Sequence, residues 1–158
     1  MCRDAMSHWV DQRSRRDVWV VEAQSSRDWP AAPPWTSSKI GLLVLTEHVV
    51  DAEPLARQAL ARGLVFVSAW GPGCELIEET FDEVIALSRP DETPGDAVLT
   101  TSHADESLEE ALEFFLEAAT PARAHVAGCD AWVVFAIGAR CREHVERALV
   151  RRGAKKRV

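Results

Sequence analysis

The fold of this chain is decided by residues 97–116, AVLTTSHADESLEEALEFFL, which predict a short buried strand, a polar turn and a helix. Ser107 followed three residues later by Glu110 predicts a capping box, in which each side chain bonds the other's backbone N–H group. Apolar residues then recur with the 3.6-residue spacing of one helix face, at Leu108, Ala111, Leu112, Phe115, Leu116 and Ala119. This spacing predicts that Leu112 and Phe115 are among the most buried residues of the helix.

The same strand–turn–helix pattern recurs along the chain. Strands are predicted at 40–45, 64–69, 97–100 and 131–137, and the unbroken apolar runs among them are typical of strands buried on both faces. A further edge strand is predicted at 18–23. Strands that alternate with helices predict an α/β fold, with a three-layer, mostly parallel, doubly wound sheet of four to five strands that is Rossmann-like or flavodoxin-like.

The pattern divides the chain into three parts. We expect an N-terminal extension at 1–38, an α/β domain at 39–153 and a basic tail at 154–158. Residues 1–17 have no clear period, which predicts a loosely packed segment. The three prolines of 29–38 predict a rigid surface loop. The last eight residues, RRGAKKRV, hold five basic side chains and are expected to fray.

Composition narrows the class of protein. The 158 residues are 47% hydrophobic, which is enough for one core. No apolar run approaches the roughly 20 residues that span a bilayer, and the N-terminus lacks the apolar middle of a secretory signal. The four cysteines form no CxxC pair, which favours a reduced setting. We therefore expect a cytoplasmic protein with no membrane partner.

The predicted sheet indicates where a functional site lies. Right-handed crossovers bring all strand-to-helix turns to one edge of a parallel sheet, here the turns at 46–48, 70–75, 100–106 and 138–142. Ligands of open α/β sheets bind at this carboxyl edge. A small-molecule ligand there is compatible with the pattern, but WGPGCE matches no phosphate-binding motif and we predict no cofactor.

The side chains of these turns allow three interpretations. In an enzyme, Cys74 is the nucleophile and His103 the base, oriented by Asp105 or Glu106; Cys74 and Cys141 both begin a helix, where a thiol pKa is lowered. In a metal site, the ligands are His103, Asp105, Glu106 and His48, although no fixed ligand spacing supports them. In a purely structural turn, Cys74 is a small buried residue and a carboxylate satisfies His103.

The charge distribution predicts a binding surface. Residues 75–117 contain fourteen acidic residues and one basic residue, Arg89, and the net charge of −7 argues against nucleic-acid binding. A solvated helix face explains such a run, and so does an acidic surface that attracts a basic protein. The candidate binding residues are Trp70, Glu75, Glu78, Glu109 and Arg140.

Two stretches resemble an uncharacterised family of small bacterial proteins. These are AWGPGCE at 69–75 with FDE at 81–83, and LTTSHADESLEEALEFF at 99–115. The family shares an Ala-Trp-Gly-Pro-x-Cys turn and a Thr-Thr-x-His-x-Asp-Glu turn, often with Trp where this chain has Ser102. The resemblance covers about 40–138. It implies a bacterial cytosolic protein, lends no activity, and marks as family-defining the positions Trp70, Cys74, His103, Asp105 and Glu106.

Two functions remain open at this point. The first is a binding or accessory module that engages a basic protein, for instance a toxin or a defence effector, through its acidic helices. The alternative is a small enzyme with a Cys/His/acid site at the carboxyl edge. Cys74 and His103 within hydrogen-bond distance in an open cleft would favour the enzyme, whereas burial of both would favour the binding module.

Overall fold

A computed structural model describes residues 4–158, in which one mixed sheet carries helices on both faces. Its strands are β1 Met6–Val10, β2 Asp17–Ala23, β3 Lys39–Thr46, β4 Leu64–Trp70, β5 Leu99–Ser102, β6 Cys129–Ile137 and β7 Lys155–Arg157. Its α-helices are α1 Glu53–Ala61, α2 Cys74–Ser88, α3 Leu108–Glu113 and α4 Ala139–Arg151. A π-helical turn, Phe114–Ala118, follows α3, and a 3₁₀ turn, Arg123–Gly128, precedes β6.

The sheet order is β5-β4-β3-β6-β2-β1-β7. The first five strands of this order are parallel, whereas β1 pairs antiparallel with both β2 and β7. The predicted α/β class is therefore confirmed. The sheet differs from the predicted Rossmann-like sheet of four to five strands, because it has seven strands and its β1–β7 end is antiparallel.

The additional strands lie in segments that were expected to be irregular. β1 falls within 1–17, of which residues 1–3 lie outside the described residues. β7 forms from the basic tail that was expected to fray. β2 is not an edge strand, since it pairs with β6 on one side and with β1 on the other. These strands escaped prediction because both are short and β7 consists of basic residues alone. Their pairing becomes visible only once β2 and β6 are side by side.

The two faces of the sheet are covered differently. α1 and α2 pack on one face, and α3, the π-helical turn and α4 pack on the other. The Pro-rich segment runs over the first face, where the Trp29 ring stacks on Phe135 with centroids 6.0 Å apart. Leu112 and Phe115 are both fully buried on the second face, as predicted.

The helix of 97–116 begins as predicted and ends differently. Its capping box is present, with Ser107 Oγ accepting the Glu110 N–H and the Glu110 carboxylate accepting the Ser107 N–H. After Glu113 it widens into the π-helical turn. There the guanidinium of Arg16 donates to the carbonyls of Phe115 and Ala119 at 2.6 and 2.7 Å. A distant arginine therefore satisfies the helix end, which the local periodicity could not predict.

Candidate functional site at the carboxyl edge

The turns that follow β4 and β5 meet at the carboxyl edge of the sheet. Trp70 Nε1 donates to the carbonyl oxygen of Glu106 at 2.8 Å, and the His103 N–H donates to Ala69 O at 3.0 Å. The first turn needs glycine at position 71, where φ is +106° and a Cβ would lie 2.2 Å from Thr46 O. The two turns are thus fixed side by side by their backbones.

His103 is buried within a continuous hydrogen-bond chain. Its side chain is 6% exposed; Nδ1 lies 2.6 Å from Glu106 Oε2 and Nε2 lies 3.3 Å from Thr101 Oγ1. Thr101 Oγ1 in turn lies 2.7 Å from Ser68 Oγ. The carboxylate requires a proton on Nδ1, so a neutral ring accepts from Thr101 through Nε2. Both ring nitrogens are therefore engaged, and the imidazole has no free position for a substrate.

The acid that orients His103 is Glu106. Asp105 is exposed, and its φ of +62° makes it the left-handed residue of the turn, a conformation that Asp tolerates better than most residues. The sequence left both acids open for this role. Which of the two acids reaches His103 depends on the backbone conformation of the turn, and the residue types alone do not reveal that conformation.

Cys74 does not have the properties of a catalytic thiol. It is 4% exposed. Burial raises its pKa above the usual range and the charge of Glu75 adds to the rise, while the backbone N–H of His103 offsets part of it. Burial together with the nearby Glu47 carboxylate raises the pKa of Cys141 to about 12. The predicted lowering of the pKa at these helix starts is therefore wrong, because desolvation outweighs the helix dipole.

The crevice between β3 and β6 is the topological switch point of the sheet, because the connections that follow these strands run to opposite ends. The Glu47 carboxylate lies there and accepts the Cys141 N–H at 3.0 Å. Gly138, with φ +111°, makes room for it, since a Cβ would lie 2.8 Å from its carboxyl carbon. The Glu47 carboxylate thus occupies the N-terminus of α4, a position that would otherwise suit a bound anion. His48 and Arg140 are exposed on the same turns.

Glu47 is a residue of this site that the sequence pattern did not predict. The signal that could have found it is an acid directly after a buried strand, combined with a glycine at the start of the last helix. The contact between Glu47 and the start of α4 is recognisable only when β3 and β6 are known to be neighbours. The local sequence pattern does not reveal that strand order.

The acidic candidates separate into two groups. Glu75 is exposed and Glu78 is half-buried on α2, whose Asp82 accepts the Thr100 hydroxyl at 2.6 Å, so this side of α2 lies beside β5. Glu109 lies against α4 instead, with Oε1 2.6 Å from Arg151 and 3.3 Å from His144. The structure therefore does not bring Glu109 together with Glu75 and Glu78.

The pKa of Glu109 reflects this different surrounding. A hydrogen bond from its own backbone N–H lowers the pKa, partial burial opposes this, and His144 and Arg151 lower it further. Glu109 is thus an ionised carboxylate that already has an internal cationic partner, Arg151.

The metal interpretation finds no ligand cluster. Within residues 4–158, no three His, Cys, Asp or Glu side chains are grouped so that they could hold a metal ion. In the same part of the chain, no helix combines the length and apolarity needed to cross a membrane.

Comparison with known proteins identifies a family but no relative of known activity. No curated protein and no solved structure gives a significant match to the chain. One family model, described as Domain of unknown function (DUF7684), matches residues 18–153. This match covers most of the chain and confirms the predicted membership of an uncharacterised family. The chain belongs to the family of the domain of unknown function DUF7684.

Proposed function

We propose that this chain is a small protein-binding module that engages a basic protein through an acidic patch at the carboxyl edge. The patch consists of Glu75, Glu78, Glu79 and Asp82 of α2 together with Asp105 of the neighbouring turn. One observation carries the proposal. The reactive candidates Cys74 and His103 are both buried, and both ring nitrogens of His103 have partners within the chain, whereas no residue of the acidic patch has a cationic partner within residues 4–158.

The acidic patch has the electrostatic character of a docking surface. Its carboxylates crowd one end of one helix and one turn, and like charges at that spacing repel each other. A cationic partner relieves this repulsion and is steered toward the patch from a distance. The half-buried ring of Trp70, a predicted binding residue, lies outside the patch, because it packs against the core of the opposite face with its centroid 6.4 Å from the His144 ring of α4.

The enzyme alternative has less support. A nucleophilic thiol needs a lowered pKa and access to substrate, but the pKa of Cys74 is raised by burial. The Cys74 thiol lies near the backbone of His103. Among the described residues, no hydrogen bond joins this thiol to the His103 imidazole. A small anionic ligand at the switch point would also have to displace the Glu47 carboxylate.

The setting that fits this function is a reduced bacterial cytoplasm. Cys74, Cys129 and Cys141 are free and buried, and burial raises the pKa of Cys129 to about 11. Within that setting we propose an accessory role beside a basic toxin or defence effector. The proposal does not include nucleic acid, because the net charge of −7 repels phosphates.

The proposal is tested by binding of a fluorescent Lys/Arg-rich peptide to the full chain at low and high salt. Affinity should fall at least about tenfold at high salt, because the Debye length shrinks from about 10 Å at 0.1 M to about 3 Å at 1 M. Glu78→Lys/Glu79→Lys should weaken binding by a similar factor. The matched control Asp91→Lys/Glu113→Lys changes the net charge equally at exposed positions outside the patch and should weaken it much less.

Two results would overturn the proposal. The first is equal affinity of wild type and both double variants for the peptide. The second is turnover of a small molecule that disappears in Cys74→Ala and in His103→Ala while peptide binding stays unchanged, which would establish the enzyme instead.

A further inference from the structure

The outer edge of β5 presents unpaired backbone groups. β5 lies at one end of the sheet, and within residues 4–158 it pairs with β4 alone. The N–H of His103 points to Ala69 O, and backbone directions alternate along a strand, so those of Thr100 and Ser102 point away from β4. Their N–H and C=O groups form a short template that another extended chain can pair with.

One flank of this template is acidic. Side chains advance by about 100° per residue around a helix, which puts Glu75, Glu78 and Asp82 on one side of α2. The hydrogen bond from Thr100 to Asp82 identifies that side as the one that overhangs β5. The side chains of Thr100 and Ser102 lie on the same face, because their partners on β4, Val67 and Ala69, pack in the core under α2.

The other flank is apolar. Leu99 and Phe114 are half-buried and pack against the core of the opposite face. The Phe114 ring lies 4.7 Å from the His103 ring and 6.3 Å from Phe66, which fixes it beside β5. An added strand would therefore meet carboxylates on one face and an aromatic surface on the other.

The opposite end of the sheet lacks this combination. Within residues 4–158, β7 likewise pairs with one strand, β1, but its residues Lys155, Lys156 and Arg157 are all exposed and basic. Lysines on an edge strand discourage pairing with another chain. β5, with the sequence LTTS, has neither lysine nor proline to protect it.

We propose that an extended basic segment of the partner adds to β5 as a further strand of the sheet. Because side chains alternate along a strand, its Lys or Arg residues face α2 while the intervening apolar residues face Phe114. Backbone hydrogen bonds to Thr100 and Ser102 hold the segment, and the two flanks select its sequence. This inference rests on the proposed function and specifies how the acidic patch is used.

The test uses the full chain and the synthetic peptide (Lys-Val)₄, compared with the same peptide N-methylated at every amide. Methylation keeps the charges and side chains but removes the donors and crowds the backbone. Strand addition predicts at least about tenfold weaker binding of the methylated peptide. It also predicts that the unmethylated peptide slows hydrogen exchange at the amides of Thr100 and Ser102 by about tenfold.

The outcomes separate this inference from the proposed function. Equal binding of both peptides, with unchanged exchange at Thr100 and Ser102, would overturn strand addition, while sensitivity to salt and to Glu78→Lys/Glu79→Lys would leave the acidic docking surface standing. Absence of binding by either peptide would overturn both. Self-association of the chain that Lys156→Glu abolishes would assign the β5 edge to β7 of a second copy and would also overturn the inference.

Discussion

The two ends of the sheet are held by different chemistry. Near β7, the fully buried Asp11 lies 3.0 Å from Arg152 and accepts the N–H and hydroxyl of Ser14. Near β5, a chain of side chains takes the place of an Asp–Arg pair: Thr101 bonds Ser68 at 2.7 Å and lies 3.3 Å from the His103 ring, which bonds Glu106. One end therefore depends on a buried carboxylate–guanidinium pair, and the other on a hydrogen-bond chain of two hydroxyls, the His103 ring and the Glu106 carboxylate.

This difference has a structural cause. A buried ion pair costs desolvation and contributes little net stability, but breaking it is expensive, so it can fix the relative position of two segments. The β1–β7 end needs such a fixed position because its strands pair outside the regular strand–helix repeat. The β5 end is already positioned by α2 and α3, and the carboxylates of the acidic patch have no cationic partner within the described part of the chain.

The largest effect is expected in the core that both ends share. Phe115 is fully buried and packs edge-on against Trp132, with ring centroids 5.2 Å apart. Phe115→Ala should lower the free energy of unfolding by about 3–5 kcal/mol, measured by urea denaturation. The exposed helix substitution Val150→Ala should change it by less than about 0.5 kcal/mol. A loss below about 1 kcal/mol for Phe115→Ala would contradict the packing.

Breaking the ion pair at the β7 end should have the next largest effect. Asp11→Ala leaves the largely buried guanidinium of Arg152 with one remaining carboxylate partner among the described residues, Glu117 at 3.5 Å. We expect a loss of about 3 kcal/mol in the free energy of unfolding. The control is Asp17→Ala, which breaks the more exposed contact with His8 and should cost less than about 1 kcal/mol. Equal losses for the two variants would show that burial of the Asp11 pair is unimportant.

The same pair predicts an acid dependence. Burial raises the pKa of Asp11, but hydrogen bonds from Arg152 and Ser14 together lower it below 3.8. A carboxyl whose pKa is lowered by folding stabilises the fold above its unfolded pKa, and this contribution is lost as the pH falls through the folded pKa. The stability gap between wild type and Asp11→Asn should therefore narrow from pH 7 to pH 3. A gap that stays constant would refute the lowered pKa.

These interactions also mark the limit of what the sequence predicts. The strand–helix units from β3 to α4 follow from apolar runs, capping residues and glycines that lie within a few residues of each other. Asp11 and Arg152, by contrast, are 141 residues apart, and Arg16 reaches a helix end about 100 residues away. No local pattern encodes such contacts, so the antiparallel end of the sheet was not predicted.

The candidate site was predicted in the same uneven way. Its location at the carboxyl edge follows from strand–helix alternation, and the structure brings Trp70 and Glu106 together there. The pKa values of its residues do not follow from the strand–helix pattern, because they depend on burial. Cys74 at a helix start indicates a lowered thiol pKa, and only the packing around it reveals that the pKa is raised instead.

The smallest effect is expected at the β5 end. Thr100→Val removes the hydroxyl that donates to Asp82 at 2.6 Å and keeps a β-branched side chain that suits a strand. Because Asp82 is exposed and water can replace the lost donor, the free energy of unfolding should fall by less than about 1 kcal/mol. The backbone groups of residue 100 are unchanged, so affinity for (Lys-Val)₄ should stay within about twofold. A loss of unfolding free energy as large as that of Asp11→Ala would remove the contrast between the two ends. It would show that β5 needs the Thr100–Asp82 hydrogen bond for stability, so that Asp82 would not be available to a partner.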